Sequence, residues 1–224
     1  MNMMRTTGFQ QGGVAGDLFR GAAHFYALYR RCYPPQVVSC IVNRCGLDGR
    51  GRLLDAGCGT GQVFRSFGEH FEEVLAIDAD ADMVAEATRA AERNQLRHVV
   101  VRQQRTEEIG SEPGTFRVAA FGASFHWMDR ERVAEFVFER LELDGWMAIL
   151  APDGLHSGET EWEGAIRQVI SKWLGPERRA GGGLYVAGER HEEILARSSF
   201  AAAHCDNIVV SETWTIDEIV GWLY

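Results

Sequence analysis

The chain of 224 residues has little of what marks several large protein classes. It has no apolar run as long as the roughly 18 residues a membrane-spanning helix needs, so no transmembrane segment is predicted. Basic residues are in deficit: 23 Lys and Arg stand against 32 Asp and Glu, for a formal net charge of −9. Nucleic-acid binding draws on clustered cations to neutralise phosphates. A large nucleic-acid footprint is therefore excluded, and a small or uncharged partner fits better. Cysteine is sparse and odd in number, at positions 32, 40, 45, 58 and 205, with no C-x-x-C spacing. That pattern predicts reduced thiols rather than a disulfide frame and predicts no metal site. The opening MNMMRTTGFQQGG lacks the apolar core of a signal peptide, and these absences together predict a cytoplasmic protein. No internal repeat is evident, and the one biased stretch, GPERRAGGG at 175–183, reads as a flexible loop.

What is present is an alternation of short apolar runs with helical periodicity. Helices are predicted over 19–29 and 35–45, followed by strand 53–56, helix 62–70, strand 73–77, helix 82–93 and strand 98–102. Strand 117–121, helix 130–141 and strand 145–150 continue the pattern. This order predicts a doubly wound α/β fold with a mostly parallel sheet and helices on both faces. The length suits a single domain spanning 1–224, with 1–45 as an N-terminal helical cap and 151–200 as a lid insertion.

Residues 53–61 read LLDAGCGTG: an apolar pair, Asp55, then Gly57, Gly59 and Gly61 opening onto a helix at Gln62. Three positions without side chains where a strand turns into a helix let backbone approach a ligand closely. The spacing matches neither G-x-G-x-x-G nor a P-loop. Cys58, inside the turn, reads as a small side chain in a tight place rather than as a nucleophile. The apolar run from Val74 to Ile77 then ends in Asp78, 21 residues after Gly57, about where an acid meets ribose hydroxyls in nucleotide-binding βαβ units. Asp80 and Asp82 supply capping chemistry before the next helix, which leaves Asp78 for a ligand.

The G-x-G-x-G turn with its preceding acid and Asp78 resembles the first two motifs of class I S-adenosylmethionine-dependent methyltransferases. The resemblance implies a Rossmann-like, seven-stranded-type sheet with S-adenosylmethionine as cofactor, held by Asp55, Gly57, Gly59, Gly61, Asp78 and the adjoining Ala79. It also places Met83 against adenine, a position that would otherwise read as core. The stretch RQQRTEEIG after the third strand resembles the third motif, with Arg105 where relatives carry an acid, so adenine contacts fall to Thr106 and Glu107.

Within that class, Ser124–Asp129, SFHWMD, resembles the type 11 small-molecule group that includes relatives of trans-aconitate methyltransferase. Gly122 and Ala123 leave room for the methionine part of the cofactor, while His126 and Trp127 face the acceptor. His126 is the catalytic candidate, a general base for a hydroxyl acceptor. The competing reading makes it a structural residue and Trp127 a core one. Upstream, FYALYRRCYPP resembles the group's lead-in helix, which makes Tyr29, Arg31 and Tyr33 candidates for closing the site, Tyr29 on the cofactor and Tyr33 on the substrate. Tyr26 and Phe25 read as core.

The segment ETEWEGAIRQVISKWLG predicts an amphipathic helix in the lid, with Trp162, Trp173 and Tyr185 as aromatic surface for an acceptor or as packing. Residues 201–215 read as a strand, and the sequence then stops in an apolar helix where relatives continue to a final strand. The last strand is accordingly expected to be missing, through truncation or an open sheet edge. The expectation is methyl transfer to a small-molecule acceptor, O-methylation ahead of N or C, with a homodimer left open. The rival readings are a fold relative that binds the cofactor without methylating, as cyclases do, and a non-catalytic binding partner.

Overall fold

The computed structural model describes residues 21–109, 114–152, 160–175, 179–180, 183–184, 188–200 and 203–223. Strands β1 (Arg52–Ala56), β2 (Glu73–Asp78), β3 (Val99–Gln103), β4 (Phe116–Gly122) and β5 (Leu141–Leu150) form one sheet in the order β3-β2-β1-β4-β5. All four pairings are parallel. The sheet is thus the doubly wound, Rossmann-like one expected, with five strands among the described residues where the resemblance implied seven.

Side chains alternate across the strands, and the two sets build two cores. Leu53, Val74, Ala76, Val118 and Ala120 face Val63, Phe64 and Phe67 of α3 (Gln62–Phe67) and Ala87 and Ala90 of α4 (Ala81–Arg93). Val38, Ile41 and Val42 of α2 (Pro35–Cys45) pack against the same face. On the other face Leu54, Leu75, Ile77, Ala119 and Phe121 meet Val133, Ala134 and Val137 of α5 (Arg130–Phe138). Asp80 caps α4, its carboxylate accepting from the Asp82 and Met83 N–H groups, as the sequence predicts. The remaining helices are α1 (Ala23–Tyr29), α6 (Glu161–Leu174), α7 (His191–Leu195) and α8 (Ile216–Leu223), of which α1 and α8 pack together. No helix among the described residues is long and apolar enough to cross a membrane.

Three local expectations are corrected. Residues 203–215 form no strand, because a strand needs a partner for its ladder and this segment is held by side chains instead: Arg44 to Asp206 at 2.9 Å, and the His204 ring 6.3 Å from that of Trp146. The 175–183 loop contains β6 (Arg179–Ala180), whose backbone pairs antiparallel with β7 (Gly183–Leu184), Arg179 opposite Leu184 and Ala180 opposite Gly183. Strand β5 starts at Leu141 and α5 ends at Phe138, because left-handed Asp144 (φ 64°) and a register shift opposite Phe116–Val118 let β5 begin before the apolar run.

Candidate functional site

The strand order reverses between β1 and β4, and ligands in open parallel sheets settle at such a point beyond the carboxyl ends of the strands. The loops after β1, β2, β3 and β4 all border one cleft there, with about 880 Å³ of empty space including its mouth.

The three motif glycines share a left-handed backbone, φ 67°, 54° and 94° at Gly57, Gly59 and Gly61, but differ in what a side chain would meet. A Cβ on Gly57 would lie 2.6 Å from Cβ of Ser124, and one on Gly61 2.2 Å from the Phe64 ring. On Gly59 the nearest atom would be Gln62 Oε1 at 3.9 Å. Gly57 and Gly61 are thus required by packing, while Gly59 bares its backbone to the cleft.

Asp78 pins this turn. Its Oδ2 accepts from the Gly59 N–H at 2.8 Å and its Oδ1 from the Asp80 N–H at 2.9 Å. Each carboxylate oxygen retains acceptor capacity for a ligand hydroxyl. Burial pushes the Asp78 pKa up, and the two backbone N–H groups oppose that shift. Asp55 lies deeper, fully buried beneath α3. Its Oδ2 accepts from the Phe64 N–H at 3.2 Å, which substitutes for the side-chain cap that Gly61 cannot provide. Its Oδ1 is buried without a hydrogen-bond partner, and desolvation, with a smaller push from Asp78, raises the carboxyl to about 8.

Of the sequence-predicted residues, Gly57, Gly59, Asp78, Ala79 and Met83 line the cleft at its first two loops. Thr106, Glu107, Ala123 and Trp127 line it from the other two. Glu107 is anchored, its Oε1 accepting from the Asp129 N–H at 3.2 Å. Asp55 and Gly61 act from behind, as helix partner and packing residue, and are not part of the cleft wall. Tyr33 is under the floor: its hydroxyl would be 2.9 Å from a Cβ on Gly122, and its ring packs on Phe67 at 5.8 Å. Tyr29 packs against Gly221 of α8, and Arg31 pairs with Glu212 and Glu218. His126 is absent from the cleft wall, its ring 4.5 Å from the Trp127 ring. Trp162 stands exposed on α6, no described residue of which borders the cleft, and Tyr185 lies outside the described residues.

Sequence reasoning missed several wall residues. Tyr26, read as core, lines the cleft from α1. Gln104 and Arg105 follow β3 directly, so their position after a parallel strand was the available signal. Ser124 and Met128 flank residues already singled out, and the Ser124 hydroxyl donates to the Ala56 carbonyl at 2.6 Å, tying the β4 loop to β1. Phe125 fixes that loop from within, its ring 5.1 Å from both Phe121 and His191. Cys58 borders the cleft, but burial holds its thiol far above the ordinary range, which leaves it protonated and unreactive. Among the described residues no group of three or more His, Cys, Asp and Glu could hold a metal ion.

Chemically, the cleft offers a carboxylate at the end of β2, bare backbone at Gly59, an apolar flank at Met83 and Ala79, and an aromatic end at Trp127. Those groups fit a nucleoside with a short polar tail. Residues 53–145 match the family model of a methyltransferase domain. The matched stretch carries the glycine turn, Asp78 and the loops after β3 and β4 that border the cleft. No curated protein aligns with the chain. Among solved structures it is similar to the YcgJ protein of Bacillus subtilis, 21% identical over 51% of this chain and 49% of that one, with a TM-score of 0.47. The chain thus spans about half of that protein's length. It is also similar to a protein of Bacillus halodurans C-125 described as a candidate methyltransferase, 16% identical over 74% of this chain and 69% of that one, TM-score 0.53. A third similar structure is the [4+2]-cyclase SpnF, 18% identical over 64% of this chain and 62% of that one, TM-score 0.52. The last two show the same fold.

Proposed function

We propose that the protein transfers a methyl group from S-adenosylmethionine to a small-molecule acceptor, an oxygen acceptor being favoured over nitrogen or carbon. The observation that carries this reading is one continuous cleft joining the Asp78 carboxylate and the bare Gly59 backbone to Trp127 and Met128. In this assignment Asp78 accepts from ribose hydroxyls, Met83, Ala79, Thr106 and Glu107 hold the adenine, and Gly57, Gly59 and Ala123 border the methionine tail. S-adenosylmethionine supplies an electrophilic methyl on a sulfonium, so the chain's task is to orient an acceptor and exclude water from it. Trp127, with Met128 beside it, gives the acceptor an apolar surface.

His126 remains the proposed base for an oxygen acceptor, reached through the short 3-10 turn Phe125–Trp127 that carries Trp127. A carboxylate or activated carbon acceptor needs no base. One observation favours a second reading: among the described residues no histidine or lysine lines the cleft, and the fold is shared with a [4+2]-cyclase. A cofactor-binding cyclase-like protein would use the cleft without methyl transfer. Calorimetry with S-adenosylmethionine, followed by mass-spectrometric detection of S-adenosylhomocysteine with a panel of phenols, carboxylates and amines, separates the two. Acceptor-dependent S-adenosylhomocysteine supports methyl transfer; binding with no turnover across the panel supports the second reading; no binding overturns both.

A further inference from the structure

Helix α8 does not border the cleft, yet it grips the helix that does. Tyr26, on α1, forms part of the cleft wall. Helix α1 has only seven residues and no side-chain cap at its start, too short to hold its place by its own hydrogen bonds. Its position must come from packing: α4 touches it on one side, and the largest set of contacts comes from α8 and the residues just before it.

The Arg30 guanidinium is sandwiched between the Tyr26 ring, 4.3 Å from its centroid, and the Trp222 ring, 3.9 Å from its centroid. Such cation–π pairs strengthen where water is excluded. The Arg30 carbonyl accepts from Nε2 of Gln62, another cleft residue, at 3.3 Å, so the sandwich is tied to the glycine turn as well. One residue earlier, the Tyr29 ring lies flat on the α8 backbone: a Cβ on Gly221 would be 2.3 Å from its Cγ and Cδ2. One residue later, Arg31 pairs with Glu212 at 3.3 Å and Glu218 at 2.8 Å, donates to the Thr213 carbonyl at 2.9 Å, and stacks on Trp214 at 3.9 Å. Helix α8 is itself fixed at its start, where Thr215 and Glu218 exchange a reciprocal cap.

We propose that α8 is a latch on the cofactor site: Gly221 and Trp222 are positioning residues that seat α1, and through it hold Tyr26 over the cleft. The proposal rests on the reading of the cleft as the S-adenosylmethionine site. It makes the residue needed at position 221 unusual. Alanine is the better helix former, so a merely helical role for α8 predicts that Gly221→Ala is neutral or stabilising. The latch predicts the reverse, because the added methyl meets the Tyr29 ring.

The test uses the full chain with Gly221→Ala, Trp222→Ala, Tyr29→Ala and the Gly221→Ala/Tyr29→Ala pair. Affinity for S-adenosylhomocysteine is read by calorimetry, and hydrogen exchange of the α1 amides is read without ligand. Gly221→Ala and Trp222→Ala are each expected to weaken binding at least about fivefold, the lower end of ordinary coupling between sites, and to speed exchange over 23–29. In the Tyr29→Ala background, Gly221→Ala should have no further effect, since the colliding ring is gone. Unchanged affinity and exchange in both single variants, or a Gly221→Ala loss that persists without Tyr29, overturns the latch. If the unsubstituted chain binds no S-adenosylhomocysteine, the cofactor reading fails, and α1 exchange in the variants still decides whether α8 holds α1.

Discussion

Two aspartates, on neighbouring strands, that brace the glycine turn and the helix after it are put to different uses by their surroundings. Asp78 stands at the cleft wall with both oxygens already holding backbone and with acceptor capacity left on each. Asp78→Ala should weaken S-adenosylhomocysteine binding by about 1.5–3 kcal/mol, the worth of hydrogen bonds to a charged group. Calorimetry reads this, and unchanged affinity would remove Asp78 from the site. Asp55 is a stability residue. Its carboxyl, raised by burial to about 8, binds its proton more tightly in the folded chain than in the unfolded one. The stability it contributes is therefore complete below the ordinary carboxylate pKa of about 4 and is lost as pH rises from there through the folded value. Asp55→Asn carries no charge at any pH, so its denaturation midpoint relative to the parent should climb between about pH 4 and about pH 8 and then level off. A pH-independent difference would show that the Asp55 carboxyl titrates normally. His126→Ala should lower turnover on an oxygen acceptor while sparing cofactor affinity; an unaltered pH profile of kcat would refute its role as base.

At the scale of elements, the strand–turn–helix unit β1–α3 carries most of the site. Its glycines make separable predictions. Gly61→Ala should destabilise the chain by about 1–3 kcal/mol from backbone strain alone, with the Phe64 contact adding to it, as urea denaturation would show. Gly59→Ala meets little protein but projects its methyl toward the cleft, so its loss of S-adenosylhomocysteine affinity should exceed that of Gly61→Ala once stability is accounted for. An equal loss in the two would mean that Gly59 is there only for the turn. The motif pattern named all three positions from the spacing alone. Which glycine faces ligand and which face Ser124 or Phe64 is a matter of distances between elements, and no periodicity encodes those. Tyr26 shows the same gap: helical spacing placed it on an apolar stripe, but whether that stripe looks into a core or over a cleft depends on where α1 docks.

For the whole molecule, the sheet closes the two cores on either side and leaves α6 outside them. Trp162 and Trp173 on α6 are 43% and 76% exposed. Replacing either with Ser should change stability by no more than about 0.5 kcal/mol, as expected for a surface site. If α6 serves as the proposed lid over the acceptor, the same changes should raise the acceptor KM and leave S-adenosylhomocysteine affinity alone. An unchanged KM would take α6 out of acceptor binding. The C-terminal sequence predicts a strand and then a helix; among the described residues only the helix is present, since Ile208 to Val210 join no ladder while α8 packs on α1.

By itself the sequence determined the alternation of strands and helices, the glycine turn and the acid at the end of β2, and these carry the proposed cofactor. These are local properties: backbone conformation, side-chain period and a fixed interval along one βαβ unit. Only the tertiary structure decided that Asp55 and Gly61 support the cleft from behind, that Tyr26 forms part of its wall, and that residues at the far end of the chain hold α1. Those outcomes depend on distances between segments remote in sequence, which packing sets and local pattern does not carry.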